Sequence, residues 1–119
     1  MNQLSSMKCE ACSVNAHRLS SDEAESLMSD IAGWSLLDDS GIQKLKRIFS
    51  TENFRQSISF TNAIAELAET EQHHPQIVVE YSSVTVFWWT HKINGLHKND
   101  FIMAAKTSNL YNDIQALDE

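Results

Sequence analysis

Basic residues are scarce in this chain: nine lysines and arginines stand against sixteen aspartates and glutamates across 119 residues, a formal net charge of −7 with a pI near 5.1. A protein that neutralises nucleic-acid phosphates needs a basic stripe. The cations here are scattered, Lys44, Lys46 and Arg47 forming the one cluster, so direct nucleic-acid binding is not expected. Long hydrophobic runs are also missing. No segment reaches the roughly 20 apolar residues that cross a bilayer, and Met1 to Lys8 lacks the apolar core of a signal peptide. No membrane association is expected, and the location expected is cytoplasmic. Cysteine is limited to Cys9 and Cys12, which in that compartment read as reduced thiols rather than a disulfide. A structural zinc takes four ligands, and His17 supplies at most a third. Two free thiols in a tail is the simpler reading. No repeat or low-complexity run occurs, and with one proline and three glycines each of these residues marks a boundary.

At this length one domain is the default. Residues 1–19 show no apolar periodicity and are expected to form a flexible arm carrying the Cys-x-x-Cys, with a single domain over 20–119. Ser20 and Glu23 make a capping box. Ala24, Leu27, Met28 and Ile31 then recur at helical spacing until Gly33, which predicts a helix over about 22–32. Trp34 to Leu37, a turn at Asp38-Asp39-Ser40-Gly41, and Ile42 to Ser50 predict a hairpin with one solvated face. A long helix is expected from a cap at Thr51 to about Gln72, its apolar arc (Phe54, Ile58, Phe60, Ile64, Ala65, Leu67, Ala68) wide enough for a core and a second contact. Pro75 ends it. Ile77 to Tyr81, a tight turn at Ser82-Ser83 and Val84 to Thr90 predict a second hairpin. Gly95-Leu96 turns into a last helix capped by His97 or Asn99. The order helix-strand-strand-helix-strand-strand-helix predicts an α+β fold, a four-stranded antiparallel sheet with helices packed on one face.

Chemistry concentrates between Glu69 and Asp100. Three of the five histidines fall here: His73 and His74 at the exit of the long helix, and His91 at the end of a strand, on the face shared by Thr85, Phe87 and Trp89. Clustered imidazoles are the usual means of moving protons near neutral pH. Adjacent residues in an extended segment point opposite ways, so His73 and His74 cannot both face one point without a bend. If one of them meets His91 in a pocket, general acid–base chemistry follows, and loss of water from a carbon bearing a hydroxyl and an amine-type nitrogen suits such a pair. No cofactor and no metal is required for it. Each residue also has a plainer reading. Asp100 in a first helical turn suits the helix dipole, and Trp88 and Trp89 suit core and sheet-face packing, though one could wall a flat heterocycle.

The text Glu69-x-x-x-His73-His74-Pro75, Tyr81 six residues after the proline, His91 and Asp100 resembles the signature of the pterin-4a-carbinolamine dehydratases. Asn53-Phe54-Arg55, Phe60 to Ala63, Val84 to Val86, Trp88-Trp89, Gly95 to His97 and Asn99 to Ala105 are similar to the bacterial members, which accompany phenylalanine hydroxylase. The resemblance covers about 20–107 and implies dehydration of 4a-hydroxytetrahydropterin to quinonoid dihydropterin and water, supporting pterin recycling for that hydroxylase. It implies His73 and His91 as the acid–base pair, His74 on the substrate or its leaving hydroxyl, and Asp100 in support. Glu69, Pro75, Tyr81 and Trp89 take structural or substrate-supporting places. It also implies a homodimer or homotetramer. Two positions depart from the pattern: Ile77, where many animal members have Trp, and Gln72, where Asp is common.

Two other functions compete. A hydrolase with zinc on His73, His74 and His91 is weaker, because adjacent histidines rarely share one ion. A non-catalytic scaffold, such as a dimerisation or transcriptional coactivator module of the kind known among animal relatives, would not require all four polar positions.

Overall fold

The computed structural model describes residues 18–117; Cys9, Cys12 and His17, and with them the Cys-x-x-Cys reading, lie outside the described residues. Helix α1 (Ser21–Met28) opens on the expected capping box, the Ser20 amide donating to Glu23 Oε1 at 2.8 Å and the Glu23 amide to Ser20 Oγ at 3.2 Å. It stops four residues sooner than the periodicity predicts. The amides of Asp30 and Ile31 reach back three residues, to Leu27 and Met28 carbonyls, so tight turns replace α-helix before Gly33, at φ +91°.

Strands β1 (Ser35–Asp39) and β2 (Ile42–Ser50) form the first hairpin. Its turn is two residues, not four. Ser40 and Gly41 both take positive φ (55° and 89°), the geometry whose twist matches paired strands, so Asp39 pairs directly with Ile42. Helix α2 (Phe54–Glu71) is capped by Asn53, whose side chain accepts from the Gln56 amide at 2.8 Å. Thr51, the expected cap, instead shares a hydrogen bond with the Ser57 hydroxyl at 2.6 Å. The helix buries Gln56, Ser57, Phe60, Ile64 and Ala68, while Phe54 and Ile58 stay exposed. Strands β3 (Gln76–Glu80) and β4 (Ser83–Trp88) and helix α3 (Lys98–Leu117) complete the chain.

All strand pairings are antiparallel, in the order β1-β2-β4-β3. The register Leu45↔Trp88, Arg47↔Val86, Phe49↔Val84 puts these six side chains on the helix-covered face. All but Arg47 are buried there with Phe60, Ile64 and Phe101. Edge-on aromatic contacts link Trp34, Phe49 and Phe60 at centroid distances of 5.8 and 4.9 Å. Each such side chain contributes roughly 1.5–3 kcal/mol by leaving water. Arg47 enters this layer by laying its guanidinium over Phe49, 4.4 Å from the ring, and donating to Ser108 Oγ at 3.0 Å; burial draws its pKa below the ordinary arginine value. Lys44, Lys46 and Ile48 take the opposite face, with Thr85 and Phe87. Among the described residues no helix is long and apolar enough to cross a membrane.

One consequence of this register places the chemistry. Gln76 pairs with Phe87, so the residues that precede β3, His73 to Pro75, lie beside those that follow Phe87 in and beyond β4. The carboxyl end of α2 and the amino end of α3 meet at the same end of the sheet.

Candidate active site

Helix α2 ends on Gln72 in the left-handed conformation (φ 55°), its amide bonded to the Ala68 carbonyl. The His73 amide reaches the same carbonyl at 3.1 Å. Such a left-handed cap swings the chain off the helix axis, and Pro75 keeps His74 extended. The two neighbours consequently part: His73 is 4% exposed, whereas the His74 side chain is 56% exposed.

His73 is buried. Its ring lies parallel to Trp88 (centroids 5.7 Å, 7° between planes), and its Nε2 is 2.7 Å from Asp100 Oδ1. Asp100 is fully buried in the first turn of α3. Its other oxygen accepts from the Thr90 hydroxyl at 2.8 Å and from the His97 amide at 2.9 Å, while His97 Nδ1 accepts from the Asn99 amide at 3.0 Å. A buried carboxylate needs this many donors, and the positive end of the helix dipole adds to them. Asp100 therefore caps the helix through one oxygen and meets His73 through the other.

His74 and His91 are exposed. His74 Nε2 is 2.5 Å from Glu69 Oε2, both side chains largely in solvent. His91 opens a 3₁₀ turn (His91–Ile93) inside a loop closed by the Thr90–Gly95 bridge, where the Thr90 amide donates to the Gly95 carbonyl at 2.8 Å. Its exposed ring leans on Trp89, centroids 4.3 Å apart. A Cβ at Gly95 would sit 2.5 Å from Arg18 Cδ, so a side chain there would require Arg18 to move. Thr90 thus ties the three parts together: its hydroxyl holds Asp100, and its backbone sets the loop that carries His91.

The remaining candidates divide. Pro75 is half-buried at the entry to β3, and Trp89 half-buried just past β4. Tyr81 lies at the far turn of the β3–β4 hairpin, 72% exposed, a strand's length from the histidines. Ile77 pairs with Val86 and packs against the core. Thr90 has no sequence mark that would place it here, since nothing local sets apart a threonine ten residues before an aspartate. Among the described residues no three His, Cys, Asp or Glu side chains converge as a metal-ligand set, so the three-histidine zinc arrangement is not assembled.

With this geometry in place, comparison with known proteins is informative. A family model described as "Pterin 4 alpha carbinolamine dehydratase" matches residues 17–110. Two bacterial proteins bear the name "Putative pterin-4-alpha-carbinolamine dehydratase". The one from Saccharophagus degradans is 50% identical over 111 residues, spanning 93% of this chain and 98% of its own. That from Marinobacter nauticus is 49% identical over 111 residues, spanning 93% and 100%. A crystal structure of a "transcriptional coactivator/pterin dehydratase" from Brucella melitensis aligns with a TM-score of 0.73 at 28% identity, covering 80% of this chain and 99% of that one.

Proposed function

The chain belongs to the pterin 4 alpha carbinolamine dehydratase family, and from that premise we propose that it is a hydro-lyase acting on 4a-hydroxytetrahydropterin through His73, His74 and His91. The observation that carries the proposal is the buried Asp100–His73 pair at 2.7 Å, with the exposed imidazoles of His74 and His91 at the same end of the sheet. In the reaction the N5–H and C4a–O bonds break, an N5=C4a double bond forms, and water leaves. One imidazole takes the N5 proton as another protonates the departing hydroxyl, and the proton count of the protein is restored by exchange with solvent. We assign His73 and His91 as this acid–base pair and His74 to contact with the substrate or its leaving hydroxyl. The Asp100 carboxylate keeps the proton of His73 on Nε2. The quinonoid dihydropterin formed is the species that a reductase returns to the tetrahydro state for aromatic hydroxylation.

The test is to generate the 4a-hydroxypterin with a phenylalanine hydroxylase and follow its ultraviolet decay. Wild type should accelerate the decay. His73→Ala and His91→Ala should each lose about 100-fold or more of the acceleration, the usual span for one general acid or base. No acceleration by folded wild type would sink the assignment.

A second reading is the scaffold. It is favoured by the coactivator half of the Brucella protein's name and by Phe54 and Ile58, 48% and 38% exposed on α2. These side chains and the free edges of β1 and β3 are the surfaces on which we place a homodimer or homotetramer. Light scattering of wild type beside Phe54→Asp would report the assembly. A variant lacking all three imidazoles that still supported hydroxylase expression in cells would favour the scaffold.

A further inference from the structure

We propose that Lys44 and Trp89 are positioning residues for His91; this rests on the acid–base role given to His91 above. His91 differs from the other two imidazoles in how it is held. His73 is bonded to Asp100 and His74 to Glu69, but among the described residues no hydrogen bond reaches the His91 side chain. Its backbone is fixed by the Thr90–Gly95 bridge. Among the described residues the exposed ring packs on Trp89, tilted by 31° with centroids 4.3 Å apart.

Trp89 is itself held from the other side. The register Leu45↔Trp88, continued by one residue, sets Lys44 directly across from Trp89 on the sheet face away from the helices. The Lys44 ammonium sits 3.9 Å from the centroid of the indole and 2.7 Å from Asp39 Oδ2. A lysine on an open sheet face ordinarily extends its ammonium into water. Lys44 is instead only 8% exposed, and its charge rests between a carboxylate and a π face. Asp39, Lys44, Trp89 and His91 thus form a row from β1 across β2 to the residues after β4, ending on the imidazole. Reactive groups work at full rate only when supporting residues fix their orientation. Here the support is packing on an indole rather than a hydrogen bond.

The test uses the full chain and two readouts, of which one is independent of turnover. The ring protons of His91, assigned by comparison with His91→Gln, should show an upfield NMR shift from the Trp89 ring current. Lys44→Met should reduce that shift, Trp89→Ala should abolish it, and Lys44→Arg, which keeps a cation over the indole, should retain it. In the dehydration assay Lys44→Met should lower kcat about tenfold, less than the roughly hundredfold that gross misplacement of a reacting group costs, with KM nearly unchanged and Lys44→Arg restoring most of the rate. An unchanged shift in folded Lys44→Met would overturn the proposal and leave an ordinary ion pair with Asp39. So would a reduced shift with an unchanged kcat. If wild type has no dehydratase activity, the shifts still decide whether the row orients His91, while the catalytic reading fails separately.

Discussion

His73 and His74 are neighbours in the chain, and each pairs through Nε2 with a carboxylate, yet the two pairs behave as different kinds of structure. His73 and Asp100 are 4% and 0% exposed, and His74 and Glu69 are 56% and 70% exposed. In the buried pair each partner satisfies a group that cannot turn to water, so removing either is costly. In the exposed pair water replaces whatever is lost, and such contacts contribute at most about 1 kcal/mol. The same two residue types therefore form a buried, fixed pair in one place and a solvent-exposed pair in the other. Stability should follow the first pair, whereas activity should depend on both.

The sharpest way to break that contrast is Asp100→Ala, which strands the Thr90 hydroxyl, the His97 amide and His73 Nε2 together. A loss of about 3–5 kcal/mol is expected from the denaturant midpoint; a loss under 1 kcal/mol would mean that water reaches the carboxylate. Next comes His73→Ala, which leaves a gap beside Trp88 and one donor fewer on Asp100. Its expected cost is about 2–3 kcal/mol, with activity lost as well. His74→Ala should separate the two properties. Its thermal unfolding should shift by no more than about 0.5 kcal/mol while dehydration slows markedly, and a large stability loss would show that the exposed pair is structural. The smallest effect is expected at the residue that parts the histidines. Gln72 holds φ 55°, a conformation that glycine adopts without strain. Gln72→Gly should be stabilising by about 0.5 kcal/mol or neutral, the loss of the Gln72 side-chain bond to the Glu69 carbonyl (2.6 Å) offsetting part of the gain.

Much of the fold was legible because its signals are local. The Ser20–Glu23 box, the Ser40-Gly41 turn and the stop at Pro75 each depend on residues within four of one another, and each element formed where expected to within a few positions. The errors were at ends. Thr51 and Asn53 can both cap a helix, and what separated them was a tertiary demand, the Thr51 hydroxyl being occupied by the Ser57 hydroxyl of the buried helix face. The site was legible as a set of residues and not as a geometry. Glu69, His73, His74, His91 and Asp100 are singled out as candidates by the family resemblance that their types and spacing carry. Tyr81 shares that spacing and ends up at the far end of the hairpin. Thr90 and Lys44 carry no sequence mark, and the structure gives each a contact that no periodicity encodes.

What the sequence by itself determined is the order of elements, the two hairpins, and the fact that His73 and His74 must face apart, since extended backbone alternates its side chains. Only the tertiary structure decided which of the two goes inside. That choice depends on the left-handed turn at Gln72, on the β3–β4 pairing that sets the residues after β4 beside those before β3, and on a carboxylate 27 residues away from His73. Alternation sets relative direction alone; absolute direction comes from where the partner of a buried polar group has been placed.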